Sequence, residues 1–517
     1  MDSHQVEGYQ GCSSAAAKHL PPVSRQEPPL KVIFLAWSCT DTPGHELHFA
    51  TGSFLVPQIT TAALPTPGLA SASREAQNIP RLMTVLLAGY PEIALCLDRV
   101  LARRRSMTVS TSRRSPSRSA RGPHFRWVMA LALGICASGC VHPPDPAATR
   151  AADLSHIDET ARLAMAATGA KGMAIAVVDG GQVVFTKAYG VRSAGAAPLL
   201  EDTVMYGASL TKAAFGYLVM QLVEEGRLGL DVPIANYLPQ PLPSYASSDI
   251  VRRYSAFAGL ADDERWRKLT ARILLTHSGG FSNFYFLEPD QRLRIHFEPG
   301  SRYAYSGDGI VLLQFVLEQG LGIDVGAEMH RRLFAPNGMT RSSLIWRADF
   351  RPNLADGFGS DGRVEPHDER SKVRASGSLD TSIADMGRLA ASYVRGDGLS
   401  AAARAELVRV HLPITTRSQF PTFQEPQSPR PFPSIGAGLG VVAFSGPQGA
   451  GFFKGGHNDF TANTWVCLEA GKRCVVILAN DVRAEPAFPA LVTSILGESG
   501  VPWAWEYGEM KFWAGAH

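Results

Sequence analysis

Apolar residues recur at two different periods in this chain, and the switches between them outline its elements. Phe215, Leu218, Val219, Leu222 and Val223 keep the i, i+3, i+4, i+7, i+8 spacing of a helix with one face in a core. Gly226 gives that helix a C-terminal stop, and Pro233 lies beyond it. A second stripe, Met386, Leu389, Ala390, Tyr393 and Val394, follows Ser382 and Asp385, a pair that reads as a helix-capping signature. Ser155 can cap a helix running to about Ala167, Ile310–Gln319 makes an apolar helix, and a final helix is expected over roughly Ala487–Leu496. Met173–Val178 and Gln182–Lys187 instead flank Asp179-Gly180-Gly181, which predicts a β-hairpin. Further strands are expected at about Leu439–Phe444, Thr464–Glu469 and Arg473–Ala479. Strands towards both ends with helices between them predict an α+β fold. Its antiparallel sheet is built from N- and C-terminal strands with flanking helices, and an all-helical region is inserted in the middle.

The remaining stretches read as loops or as segments outside the fold. Residues 233–268 are rich in proline and charge and predict loops with short helices, a wall or lid. Leu274–Gly280 is loop-forming, and residues 411–433, with Pro413, Pro421, Pro426, Pro429, Pro431 and Pro433, look like a connection. Residues 1–106 show no sustained periodicity, and His45 and His48 are isolated there. From Met107 an arginine- and serine-rich run without acids leads into Trp127–Cys136 and then Ala137-Ser138-Gly139-Cys140. Basic, then apolar, then small residues are the order of a bacterial secretory signal, and the run is too short to span a membrane. The small-residue ending resembles a lipoprotein processing site, with Cys140 the lipidated residue, although Ala137 stands where a leucine is more usual. A buried core helix is the plainer alternative. Because an export signal is read near the N-terminus, translation is expected to start at Met107, with 1–106 a non-native or disordered extension.

Composition narrows the partners. The chain has 517 residues, 45% hydrophobic and 19% charged, which is ordinary globular composition with length for one or two cores. A net charge of +3 is too small to argue for nucleic acid, and much of the basic excess is local to the stretch from Arg103 to Arg126. No cysteines pair as C-x-x-C and no H-x-H-x-D-H cluster is present, so no metal or cofactor is expected. Cys467 and Cys474 flank Glu469-Ala-Gly-Lys472, a hairpin turn signal that would set them opposite each other. A disulfide and two buried thiols both fit that placement.

The candidate chemistry begins at Ser209-Leu-Thr-Lys212, where the apolar helix starts. Residues three apart on a helix are neighbours, so the hydroxyl and the amine face each other. Serine needs a base to become a nucleophile, and a desolvated lysine can lose its proton near neutral pH. The helix start adds unpaired N–H groups and a positive dipole end, both suited to an oxyanion. Ser209 is the only serine in the chain with a lysine three residues on. Alone, the pattern fits a solvated helix face as well. No G-x-S-x-G surrounds a serine, so a hydrolase nucleophile elbow is not supported.

Two more motifs follow in order: Tyr305-Ser306-Gly307, set between Pro299-Gly300 and Gly309, and Lys454-Gly455-Gly456. With Ser209–Lys212, and with Leu274–Gly280, Ala375–Asp385 and Val475–Asn480 in support, the chain resembles the serine β-lactamase and penicillin-binding superfamily. The branch is that of class C β-lactamases, DD-peptidases and carboxylesterases, and the likeness runs from about Ser155 to Gly497. The resemblance implies a β-lactamase/transpeptidase-like fold and an acyl-enzyme on Ser209. Lys212 and Tyr305 would share the proton work, Tyr305 as base only if Lys212 and Lys454 favour its phenolate; Tyr303 is the rival register. Lys454 would also receive a substrate carboxylate, and the backbone N–H groups of Ser209 and His457 would form the oxyanion hole beside Gly456. Gly307 stands where the family usually has Asn, and Gly455 replaces a Thr that helps hold a carboxylate. Both losses weaken recognition of β-lactams and peptides and favour an esterase-like activity.

The expected organisation is therefore 1–106 extension, 107–140 signal, 141–150 linker, 151–500 hydrolase domain and 501–517 C-terminal tail. Within the domain, an α/β part covers about 151–204 and 434–500, and a helical part about 205–410. The expected function is an exported serine hydrolase of the bacterial envelope (periplasm), acting on an ester, amide or β-lactam carbonyl of a small-molecule or peptidoglycan-derived substrate. A lipid on Cys140 would tie it to a membrane. A non-hydrolytic penicillin- or peptidoglycan-binding protein of the same fold is the alternative. Oligomeric state is not legible.

Overall fold

The computed structural model describes residues 154, 156–424, 432 and 434–515. The extension, the signal with Cys140 and the linker lie outside the described residues.

The sheet carries the site, and it starts from β1 (Gly172–Asp179), whose two faces are both apolar. Met173, Ile175 and Val177 point one way and Ala174, Ala176 and Val178 the other, and all are buried. The Gly180-Gly181 turn, with both residues at positive φ, returns the chain as β2 (Gln182–Gly190). Short strands follow: β3 (Met205–Ala208), β4 (Gly357–Phe358), β5 (Val364–Glu365) and β6 (Leu379–Thr381). The rest of the main sheet comes from the C-terminal part: β7 (Leu412–Pro413), β8 (Ile435–Ala437), β9 (Val442–Gly446), β10 (Gly449–His457), β11 (Ala462–Leu468) and β12 (Arg473–Ala479). Its order is β2-β1-β12-β11-β10-β9-β8-β7, with β1 pairing antiparallel to β12 in the register Ile175↔Ile477. The two ends of the domain are thus stitched together within one sheet, as the strand pattern predicted.

Helices cover both faces. α1 (His156–Thr168) buries Ile157, Ala161 and Ala164 with the Met173 face. The helical region lies on the Ala174 face and contains α2 (Leu210–Glu224), α3 (Gly307–Phe315) and α4 (Ile383–Arg395). Ser382 caps α4 by accepting the Asp385 N–H, and the five-residue stripe read from the sequence is buried there. α5 (Phe488–Leu496) and α6 (Trp503–Tyr507) return to the Met173 face. Residues beyond 500, set apart as a tail by their sequence, pack onto the domain: Trp505 is fully buried.

Several elements differ from the expected ones. α2 is not one-sided: every residue from Leu210 to Leu222 is buried, because the helix runs between the sheet and the helical region. β10 was not legible as a strand, since Gly449, Gly451, Gly455 and Gly456 dilute its alternation. Residues 412–413 of the proline-rich connection form the edge strand β7, and a short helix, Ala271–Leu275, runs into the first two residues of the Leu274–Gly280 stretch read as a loop.

Cys467 and Cys474 face each other across β11 and β12 and are joined by a disulfide, both residues fully buried. Denatured protein should take no alkylating label at these two positions until a reductant is added. Replacing both by alanine should lower unfolding stability by about 2–3 kcal/mol, as closure of so short a loop predicts. Label on either cysteine before reduction would contradict the bridge.

Candidate active site

Ser209 is the N-cap residue of α2, and its side chain makes no capping hydrogen bond, which leaves the hydroxyl to partners outside the helix. The residue before it, Ala208, has φ 47°, a left-handed conformation that a non-glycine residue adopts only when its surroundings impose it. Those surroundings are visible. Thr211 Oγ1 donates to the Ala208 carbonyl and accepts the Leu379 N–H, fastening the turn to β6. Asn463 donates through Nδ2 to the carbonyls of Tyr206 and Gly456, tying β3 to β10.

Lys212 Nζ lies 2.9 Å from Ser209 Oγ and also donates to the Ser376 carbonyl. The side chain is 1% exposed. Burial, with the charge of Lys454 adding to it, holds its pKa well below the ordinary lysine value. Tyr305 arrives from the segment that leads into α3 and lies near the Ser209 hydroxyl. Its ring has an amine on either hand: Lys212 Nζ is 4.8 Å and Lys454 Nζ 4.9 Å from the centroid. Burial raises the phenol pKa well above its usual value; the Ser209 hydroxyl opposes the rise and the Glu506 charge adds to it. That shift favours the neutral phenol over the phenolate. Tyr303, the rival register, packs against Trp505 at 5.5 Å instead.

Lys454 enters from β10 where β9 ends opposite Phe453, so the Lys454–His457 segment keeps one edge clear of β9. Its Nζ donates to the Gly455 carbonyl at 2.6 Å, and burial lowers its pKa to about 8, with Glu506 opposing. Gly456 is a close-approach residue: a Cβ there would stand 3.0 Å from Ser209 N and 2.9 Å from the Gly207 carbonyl. Contact that tight brings the end of β10 against the amide of Ser209. The His457 imidazole is engaged elsewhere, with Nδ1 2.7 Å from Glu485 Oε1.

The predicted side chains of Ser209, Lys212, Tyr305 and Lys454 thus converge, and Gly456 and His457 adjoin them. Sequence reading missed four contributors. His277, at φ 53°, stacks on Tyr305 at 4.4 Å and accepts the Ser306 N–H through Nδ1 at 3.2 Å. Burial, then the charges of Lys212 and Lys454, hold its pKa well below normal, so it is neutral. Only the Thr-His-Ser-Gly-Gly run could have pointed to it. Asn283 and Phe284 explain Gly307: a Cβ there would meet Phe284 Cε1 at 2.4 Å, and Asn283 Oδ1 accepts the Gly307 N–H at 2.9 Å. Asp308 turns away to accept the Tyr285 N–H at 2.6 Å. Glu506, from α6, sits over Gly455.

Chemically, the cluster offers a hydroxyl, an amine biased to its neutral form, a neutral phenol and a strand end against a helix start. That set can move a proton and accept negative charge. Gly307→Asn should lower stability by about 1–3 kcal/mol through overlap with Phe284, and the loss should shrink in a Phe284→Ala background. Denaturant unfolding of the single and double variants measures this; fully additive losses would contradict the overlap.

Comparison with known proteins places the chain among relatives of similar sequence and fold. Over 228 residues the chain is 29% identical to the lovastatin esterase of Penicillium rubens, covering 39% of this chain and 56% of that protein. It is 25% identical over 301 residues to the D-alanyl-D-alanine-carboxypeptidase/endopeptidase AmpH of Escherichia coli, covering 55% of this chain and 74% of that one. The chain spans about half the length of the first curated relatives it matches. Its fold is shared with a β-lactamase/D-alanine carboxypeptidase from Pseudomonas syringae at TM-score 0.53 and 17% identity, over 67% of this chain and 98% of that one. The model of the Beta-lactamase family matches residues 157–496, more than half of the chain, and the protein belongs to that family.

Proposed function

We propose that the protein is a serine hydrolase that works through an acyl-enzyme on Ser209, with esters its favoured substrates. One observation carries the reading: Lys212 Nζ, buried and biased to the neutral amine, lies 2.9 Å from the Ser209 hydroxyl. As Ser209 Oγ attacks the acyl carbonyl, its proton passes to Lys212 Nζ. The backbone N–H groups of Ser209 and His457 take the developing oxyanion, a contribution of about 2.7–4 kcal/mol per donor in other enzymes. Tyr305, in contact with Ser209, gives its phenol proton to the leaving group and is reprotonated from Lys212. Water then adds to the acyl-enzyme carbonyl, passing its proton back through the same pair, and Ser209 is released with the acid.

The filled places at Gly307 and Gly455 support the ester preference. The Asn amide that would hold an acylamino group is replaced by an aromatic ring, and the Thr that would hold a carboxylate by a carboxylate. Named relatives include an esterase and a carboxypeptidase, which is consistent with acyl transfer of this kind. Export fits the buried disulfide, which forms and persists in an oxidising compartment. On this reading translation starts at Met107 and the signal ends at Cys140, which would carry a membrane-anchoring lipid.

A fluorophosphonate probe should label the protein at Ser209, and Ser209→Ala should abolish both labelling and turnover of p-nitrophenyl butyrate. Labelling without turnover would instead identify a binder that acylates and stalls. The kcat/KM of the ester should fall as pH drops through the depressed Lys212 pKa, because only the unprotonated amine accepts the serine proton. A profile that rises towards acid pH would contradict Lys212 as base.

Intact-mass measurement of the protein from its native host tests the export reading. The expected mature species begins at Cys140 with the mass of a lipid attached. One that retains any peptide before Met107 would refute it.

A further inference from the structure

The space over Gly455 is taken. A Cβ at that position would stand 1.9 Å from Glu506 Oε1, so the carboxyl group of Glu506 lies where any side chain at 455 would project. It is held there from several directions. Trp505, the residue before it, is fully buried against Tyr303 at 5.5 Å and Phe453 at 6.2 Å. The Gln419 N–H donates to the Trp505 carbonyl at 3.3 Å, and the Gln419 side-chain amide donates to the Glu506 carbonyl at 2.8 Å. The Tyr305 N–H in turn donates to the Gln419 carbonyl at 3.1 Å. Glu506 is therefore positioned relative to Tyr305 itself, and it lines one narrow cleft with Tyr305, Lys454, His277 and Gln419.

A substrate that brought its own carboxylate towards Lys454 would meet two obstacles. Glu506 already fills the place beside Gly455, and its fixed negative charge opposes a second one in a site shielded from water. An uncharged acyl compound meets neither. We propose that Glu506 is a specificity-determining residue that keeps anionic substrates out of the Ser209 site, leaving uncharged esters and amides as the substrate class. The proposal rests on Ser209 being the nucleophile. Burial raises the Glu506 carboxyl pKa while Lys454 and His457 oppose the rise, so its negative charge grows as the assay pH is raised.

The test compares p-nitrophenyl butyrate with two anionic counterparts, one carrying a carboxylate on the acyl chain and one on the leaving phenyl ring. The kcat/KM ratio of neutral to anionic ester is measured for the native enzyme, Glu506→Gln and Glu506→Ala. The native enzyme should favour the neutral ester by about tenfold or more. Both variants should narrow that ratio by about tenfold for at least one anionic ester, chiefly through its KM. A packing role alone would lower all substrates alike; unchanged ratios would overturn the proposal while leaving Ser209 as nucleophile, as would a native preference for either anionic ester. Absence of any Ser209-dependent turnover or labelling would overturn the nucleophile reading and this proposal with it.

Discussion

Lys212 is sunk beside Ser209 at 1% exposure, and a second amine, Lys454, shares the ring of Tyr305 with it. An ammonium in that position has lost most of its hydration and faces a like charge, so its neutral form is favoured. The surrounding structure maintains this condition. α2 is buried on all sides, which keeps water from Lys212; Thr211 fastens the turn before Ser209 to β6; Asn463 joins β3 to β10. Release of any of these would let solvent reach the amine and return it towards an ordinary lysine. The strain at Ala208 and His277, of order 1–3 kcal/mol each, is tolerated because this packing over-determines both residues.

The glycines of the second and third motifs have a common logic. Each is small because a side chain from elsewhere stands in its place: Phe284 at Gly307, Glu506 at Gly455. An apolar ring and a carboxylate replace groups that would bind an amide and a carboxylate. The cluster of Ser209, Lys212, Tyr305 and Lys454 keeps its side chains while its surroundings take on another character. Gly456 differs, because its neighbour is the backbone at Ser209, and no rearrangement of a flexible side chain would make room for a Cβ.

Much of this was legible in the sequence where local pattern and tertiary role coincide. The Gly180-Gly181 hairpin, the Ser382-capped helix and the outer pairing of terminal strands follow from turn chemistry and periodicity. Ser209 and Lys212 were legible because helix geometry alone sets a separation of three. Tyr305 and Lys454 could be placed only through the family resemblance, since they come from a loop and from a glycine-rich strand without alternation. Glu506, Asn283 and Phe284 left no local signal. Their roles arise from where α6 and the 283–284 loop pack, a long-range outcome that no window of sequence encodes.

The most direct measurement is the titration of Lys212 itself. Lysine is scarce in this chain, so ε-13C-lysine labelling gives an NMR spectrum in which the Lys212 resonance is assigned by its loss in Lys212→Ala. That resonance should titrate well below the ordinary lysine value. A Lys212 that titrates with the surface lysines, near pH 10.5, would contradict the account, because a permanently charged ammonium could not take the serine proton.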